Sequence, residues 1–538
     1  MINSSHSRKI WIIAVFFLLT NSIGIAAITG KISGRITDET GESLIGVNVF
    51  IEYTNMGAAT DHNGHYMIIN IQPGQYTVRL MMIGYKNQII QNVQVSSDHT
   101  TYVDAQLELS VIEGESVTVS AVKPIIEMDR TSTQATVSAA QLEVMPVSTV
   151  SDVLNLQAGV VDGHFRGGRS NEVAYMIDGI PVNDVYNNNA SLLLENDVIQ
   201  ELKVISGTFN AEYGQAQSAI VEMITSEGGS EFAGNISITA GDHYSDNDDI
   251  FRNINNHSPD EYNEYSVSVR GPFTSRANFL VNYRSSMDEG FKFGRDFFER
   301  TVYIGDIWFS DSSAAIYDNF NNVYDPDNSN PDTSSFIPMD DYHRRSFFGK
   351  LSFFLSDKDK ISLNFTYQKK TRGVYDHLYQ YNPLGNSRVN ETSNIGYLIW
   401  NRLINPTSFL NISVSNSRKK YHRHLFKDKF DHRYATDSRL REAGNFAFYT
   451  GGTDMRYYRR NTDTNFFKFS YTNQINRLWE LKTGIELKMH EMHLDSLKLK
   501  KNPETAFQVE IAPAHTADNQ VYDRDPVETA FYIQGKME

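Results

Sequence analysis

Residues 360–368 read Lys-Ile-Ser-Leu-Asn-Phe-Thr-Tyr-Gln. In an extended chain Ile361, Leu363, Phe365 and Tyr367 share one face, and Ser362, Asn364, Thr366 and Gln368 share the other. The pattern has period two, which is the signature of a strand and not of a helix. It recurs on both sides. In 278–284, Phe279, Val281 and Tyr283 oppose Asn278, Leu280, Asn282 and Arg284. In 464–472, Asn465, Phe467, Phe469 and Tyr471 oppose Thr464, Phe466, Lys468, Ser470 and Thr472. A strand that is aromatic-rich on one face and mostly polar on the other suits a barrel with lipid outside and a polar interior.

Working outward, strands are expected near 231–241, 263–271, 277–286, 346–356, 360–370, 393–402, 407–420, 464–474, 478–489 and 528–537. The connections alternate long and short. Short ones include "GPFTSRA", "DKD" and "INPT"; long ones include 287–345 and 421–463, rich in Asp, Asn and Tyr. Short turns on one side and long loops on the other are the habit of outer-membrane barrels, and a soluble sandwich has no reason to keep that alternation. About ten strands are expected over 229–538, whereas plugged transporters have barrels of about 22 strands. The sequence stops at "FYIQGKME", within an expected strand and without the terminal aromatic of a finished barrel. The expectation is an incomplete barrel truncated at its C-terminal side, which alone does not insert as a stable monomer.

The other end carries a targeting signal. Arg8 and Lys9 precede the apolar run Ile10–Leu19, which is too short to span a bilayer as a helix. Gly24, Ala26 and Ala27 follow, so residues 1–27 read as a secretory signal peptide. An uncleaved N-terminal anchor is the alternative. The chain has no cysteine, which excludes disulfides, thiolate metal sites and cysteine nucleophiles. A net charge of −16 argues against nucleic acid as a partner.

Residues 28–109 hold short strands at Gly30–Ile36, Val47–Ile51, His65–Ile69, Gln75–Met81 and Thr101–Leu107. Between them lie Asp38-Glu39-Thr40-Gly41, Asp61-His62-Asn63-Gly64 and Pro73-Gly74, all turn formers. The expectation is a small antiparallel sandwich. The stretch "GRITDETGESLIGVNVFIEYTNMGAATDHNGHYMIINIQPGQYTVRLMMIGYK" resembles the carboxypeptidase-regulatory-like domain, a transthyretin-type sandwich that commonly precedes outer-membrane receptors. The module it resembles is non-catalytic. Asp61 to His65 lack the following acidic ligands of a calcium loop, so they read as a hairpin turn.

Three motifs follow in order: "SDVLNLQAGVV" (151–161), "FRGGRSNEVAYMIDGIPVND" (165–184) and "VIQELKVISGTFNAEYGQAQSAIVEMITSEGG" (198–229). Asp178-Gly179 suits a tight hairpin between 173–177 and 180–182. Gly167 and Gly168 permit sharp turns beside Arg166 and Arg169, whose guanidinium groups are expected to pair with carboxylates of a surrounding polar wall. Glu201 and Lys203 flank a strand with Leu202 and Val204 inward, and Gly207, Tyr213 and Gly214 fall in the turns that follow. As a set these motifs resemble the plug of TonB-dependent receptors, SusC- or Oar-like, here over 122–228. The closing motif departs from the family where Gln217-Ser218-Ala219 replaces further glycines.

Just before the plug, the linker 110–121 contains Glu115, Ser116, Val117, Thr118, Val119, Ser120 and Ala121. Similar segments serve as the TonB box. A short extended peptide of this kind offers its backbone to a partner's sheet edge. An ordinary first strand of the plug is the alternative reading.

The resemblance implies a mainly β chain made of a transthyretin-like sandwich, an α+β plug and an incomplete antiparallel transmembrane β-barrel. It implies import of a scarce, bulky nutrient across the cell outer membrane, energised by TonB with ExbB and ExbD. The sandwich and TonB box would lie in the periplasm, outer-membrane lipid would surround the barrel, and a SusD-like surface lipoprotein is a further partner. A structural, adhesin or secretion-linked barrel is the alternative. No catalytic set, cofactor or metal site is expected. His422, His424 and His432 read as loop histidines, "HEMH" at 490–493 lacks the zinc-protease spacing, and Asp325, Asp327, Asp332, Asp340 and Asp341 read as solvated loop.

Overall fold

The computed structural model describes residues 29–110, 116–121, 133–147, 149–295, 336–431, 433–434, 448–449, 453–502 and 508–537. Residues 1–27, expected as a signal peptide, and Glu115, His432, Asp325, Asp327 and Asp332 lie outside the described residues.

The first unit is a sandwich of two sheets. Strands β1 (Gly30–Asp38), β4 (His65–Ile71), β7 (Thr100–Tyr102) and β8 (Ala105–Leu107) form one. Strands β2 (Asn48–Ile51), β3 (Gly57–Ala59), β5 (Gly74–Met81), β6 (Asn87–Val95) and β9 (Ser116–Ser120) form the other, in the order β3-β2-β5-β6-β9. Alternate residues Ile32, Val49, Ile51, Ile68, Val78, Leu80 and Val93 meet between the sheets. Each such side chain, fully buried, contributes roughly 1.5–3 kcal/mol. The sandwich is not wholly antiparallel, for β7 and β8 run parallel to β1, and β9 runs parallel to β6. It also extends past residue 109, because the segment expected as a linker supplies its last strand.

The plug follows. β10 (Thr133–Ser138) leads into helix α1 (Ala139–Val144) and then α2 (Val150–Asn155), whose N-cap Thr149 accepts from the Asp152 amide and closes a capping box. A small hairpin joins β11 (Val160–Val161) to β12 (His164–Phe165). The plug sheet adds β13 (Val173–Ile177), β14 (Ile180–Pro181), β15 (Ile199–Ser206) and β16 (Ala219–Thr225), ordered β10-β15-β16-β13-β14.

The rest is one large antiparallel sheet with a side hairpin. Its strands are β17 (Ala233–Gly241), β18 (Tyr262–Thr274), β19 (Ala277–Asp288), β22 (Tyr342–Phe354), β23 (Asp359–Arg372), β24 (Arg388–Asn405), β25 (Ser408–His424), β26 (Arg456–Gln474), β27 (Trp479–Asn502), β28 (Gln508–Ile511), β29 (Asn519–Arg524) and β30 (Val527–Met537). The side hairpin pairs β20 (Phe293–Arg295) with β21 (Phe336–Pro338). Consecutive strands pair, and β28, β29 and β30 all return along β27. Among the described residues the outer edges of β17 and β30 have no partner, so the sheet is open.

The alternation of residues 360–368 appears as burial. Ser362, Asn364, Thr366 and Gln368 are buried, while Leu363 and Phe365 are exposed. The buried face turns to the plug, whose apolar core runs without a break into Leu280, Phe348, Ile395, Tyr397 and Phe466 of the wall. Polar contacts reach the plug from β18 through β30, so the sheet partly wraps it. The sandwich meets the sheet at its short turns: Asn55 donates to Asp357 in the β22–β23 turn, and Ile69 packs on Phe409 just after the β24–β25 turn.

Candidate functional site

The seat of the plug is built around the Asp178-Gly179 hairpin. Ile177 pairs with Ile180, and both turn residues have positive φ, 47° and 74°. This is the primed turn that matches strand twist, and it favours Asp or Asn followed by Gly. The turn then aims the Asp178 carboxylate. It accepts from the Thr225 amide at 2.8 Å, the Thr225 hydroxyl at 2.6 Å and the Tyr397 phenol of the wall at 2.9 Å.

Beside it, Glu227 ends the plug. Its carboxylate meets Lys350 and Lys360, each at 2.8 Å, and accepts from the Ser352 hydroxyl at 2.7 Å. Burial opposes the charge, yet the two ammonium groups hold the carboxyl well below the usual range. The chain then passes so close to β19 that a Cβ on Gly228 would lie 2.5 Å from the Phe279 backbone. Further along the same wall strand β22, Glu195 is clasped by Arg344 and by the Ser346 hydroxyl at 2.6 Å, and by Arg284 of neighbouring β19 at 3.4 Å. Asp184 pairs with Arg460 at 2.7 Å, and Asp197 accepts from Ser266 at 2.7 Å.

The plug therefore supplies anions and the wall supplies cations and hydroxyls. That is the reverse of the expected docking through Arg166 and Arg169, which are both exposed and carry no ion pair among the described residues. Arg166 has left-handed backbone, φ 49°, and its exposed side chain lies along Gly159 and Gly207. Gly167 continues the turn. Gly168 is there for space, because a Cβ would lie 2.5 Å from Cβ of Ser218. The small residue at 218, in the stretch that departs from the family pattern, thus packs against Gly168.

Gly207 and Gly214 lie in the loop between β15 and β16. Tyr213, in the same loop, donates from its phenol to Glu222 at 3.4 Å. Glu222 is 1% exposed and stands opposite Lys203 on β15. Burial raises its carboxyl to about 7, with Lys203 acting against that rise. On β15, Leu202 and Val204 enter the plug core as expected. Glu201 and Lys203 are equally buried on the opposite face, where the sandwich covers them. Sequence reasoning missed this, since a Glu-x-Lys pattern reads as a solvated strand face.

The coupling candidate, Ser116 to Ser120, is β9. Its register on β6 runs from Asn87↔Ser116 to Gln91↔Ser120, and the Ala121 amide donates to Gln91. It is a strand of the sandwich, not of the plug, and its residues are mostly exposed. The histidines hold no metal cluster among the described residues. His422 bonds Asn461, His424 stacks on Tyr457, and His490 bonds the Thr464 hydroxyl. Asp340 accepts from the Lys292 amide, and Asp341 pairs with Arg388.

Comparison with known proteins places these units. Residues 32–119 match the CarboxypepD_reg-like domain, and residues 127–221 match the TonB-dependent Receptor Plug Domain. The TonB-dependent transporter Oar of Myxococcus xanthus is 25% identical over 192 residues, which is 33% of this chain and 18% of that protein. The TonB-dependent receptor P39 of Formosa agariphila is 25% identical over 213 residues, 37% of this chain and 20% of that protein. Among solved structures, FpvA of Pseudomonas aeruginosa bound to pyoverdine aligns at 13% identity and a TM-score of 0.49, over 76% of this chain and 50% of that one. The outer membrane transporter YddB of Escherichia coli aligns at 12% identity and a TM-score of 0.48, over 75% and 54%. The two domain models, in family order, carry the assignment: a CarboxypepD_reg-like domain stands ahead of a TonB-dependent receptor plug domain, and the chain, which matches about a fifth of the length of its curated relatives, is similar to TonB-dependent receptors.

Proposed function

We propose that the chain works in active import of a scarce, bulky nutrient through a barrel gated by its plug. The observation that supports this reading is the plug seat. Carboxylates at 178, 184, 195 and 227 meet lysine, arginine and hydroxyl groups of the wall, so the plug is held by discrete polar contacts as well as by its apolar core. The water that both partners regain on separating offsets much of the attraction lost, so contacts of this kind suit a plug that must be released. In this reading TonB, with ExbB and ExbD, engages residues 115–121 from the periplasm by strand addition, and a SusD-like lipoprotein assists at the surface. The domains proposed are the signal peptide 1–27, a sandwich, a TonB box, a plug to residue 228 and a barrel portion from 229.

The test is deletion of residues 115–121 in the gene, with surface display and nutrient-dependent growth measured together. Loss of uptake with normal display is expected. Unchanged uptake would leave the alternative, an outer-membrane anchor or adhesin with an idle plug.

A further inference from the structure

The loop Ser96–His99 joins β6 to β7 and points out of the sandwich with Asp98 at its tip, φ 59°. Its carboxylate is divided between two bodies. One oxygen lies 3.1 Å from Lys203 Nζ on plug strand β15, and the other bonds Lys482 Nζ on barrel strand β27. The two lysine side chains are 2% and 6% exposed. Around this point the three bodies interlock further. Glu201 of the plug accepts from the Ser97 amide at 3.2 Å and hydroxyl at 2.8 Å. Lys203 also donates to the Ser97 carbonyl at 3.3 Å, and Lys536 of β30 donates to the Asp98 carbonyl at 3.2 Å. Lys31 of β1 reaches Glu480 and Gln474 of the barrel, both at 3.0 Å. Asn70, at the end of the neighbouring strand β4, exchanges hydrogen bonds with Asn401 of the barrel.

The sandwich has an apolar core of its own, whereas the plug shares its core with the wall, so these polar contacts are what join the sandwich to the other two bodies. The desolvation of buried charges offsets much of their attraction, so the gain is in fixing an arrangement more than in raw stability. The converse is costly, because withdrawing Asp98 strips a carboxylate from two buried lysines at once. Burial disfavours the Asp98 charge, and Lys203 and Lys482 nevertheless keep its carboxyl well below the usual range, so the clasp is ionised whenever it is closed.

We propose that the N-terminal sandwich is a clamp on the plug: Asp98, set between a plug lysine and a barrel lysine, ties the plug to the wall, and the plug moves only after the sandwich has lifted away. The route of release is built in. Residues 116–120 are hydrogen-bonded to β6, and β6 runs directly into the Ser96–His99 loop. A partner that pulls on this segment therefore loads the sandwich before it loads the plug. The clamp deepens the gated-import reading by naming what regulates the gate, but its geometry does not depend on what is imported.

These 538 residues contain no cysteine, so labels placed within them are unique to this stretch. Nitroxide labels go on Ile83→Cys in the sandwich, Val161→Cys in the plug and Ile475→Cys in a barrel turn, all exposed positions. Double electron–electron resonance on the receptor purified from outer membranes reads two pairs, 83–475 and 161–475. With Asp98 intact, both distance distributions are expected to be narrow. Asp98→Asn is expected to broaden and lengthen both, and Asp98→Glu to restore both. If the sandwich pair broadens while the plug pair stays narrow, the sandwich is merely docked and the clamp is overturned. Two narrow distributions in Asp98→Asn overturn it as well. Should that variant fail to reach the membrane, Glu201→Gln weakens the Ser97 contact and removes a negative charge that acts on Lys203; a partial broadening of both pairs supports the clamp, and no change refutes it. Neither TonB nor nutrient is present, so failure of the import reading leaves these distances as they are.

Discussion

Glu227 stands where the plug hands the chain to the barrel, and its carboxylate is shared by Lys350 and Lys360. Glu227→Gln leaves two poorly solvated ammonium groups with only the carboxylate of Asp178 as counter-charge and is expected to cost about 3 kcal/mol. Thermal unfolding in detergent checks it. The folded carboxyl is held low, so its contribution is present above the ordinary value of 4.5 and is lost as pH falls through the depressed folded value. The gap between wild type and variant should be flat from about pH 8 to 5 and close only in strong acid. Glu222 behaves oppositely. Its carboxyl is raised from 4.5 to about 7, so the neutral form suits the fold, and stability is lost as pH rises through that value. Glu222→Gln should match wild type near pH 4 and exceed it by up to about 3 kcal/mol at pH 8. An equal difference at both pH values would refute this. These opposite shifts were not legible in the sequence, where both are glutamates near the end of one motif; distance to lysines across strands separates them.

At the scale of elements, β9 shows how far a pattern can be read. "SVTVS" is β-prone, and the sequence reading left open whether it stands free or joins the plug. It does neither, because the parallel edge of β6 is within reach. β6 itself was missed: "NQIIQNVQV" doubles its apolar residues at Ile89-Ile90 and carries Asn92 at φ 61°, so strict alternation fails. Thr118→Pro disturbs the ladder with little effect on the sandwich core, since β9 is mostly exposed. Amide exchange at residues 87–91 is expected to speed up about tenfold, corresponding to roughly 1.4 kcal/mol of local opening, while β1 and β4 stay protected. Unchanged protection at 87–91 would mean that β9 does not hold that edge. The barrel strands were legible for the converse reason. Each of the ten expected from alternation has its counterpart, from β17 to β30, because a face against lipid and a face against polar contacts enforce period two along the whole strand.

For the whole molecule, the open sheet is the governing feature. The outer edges of β17 and β30 carry backbone groups without partners among the described residues. In hydrocarbon each such group costs several kcal/mol, and a few of them exceed the roughly 5–15 kcal/mol stability of a typical protein. Expressed by itself, the 538-residue chain should give no compact, heat-sensitive monomer band on gel electrophoresis after outer-membrane extraction. Such a band would show that the edges find partners within one chain. The sequence by itself determined what local chemistry dictates: strand periodicity, the long and short connections, the Asp178-Gly179 turn and the order of the three units. It did not determine which charges meet. The plug's carboxylates face the wall's cations, and Asp98 meets Lys203 and Lys482 across separations of 105 and 384 residues. Only tertiary structure decided those pairings, because a charged residue looks alike in sequence whether water or another domain will cover it, and burial is a property of the assembled fold.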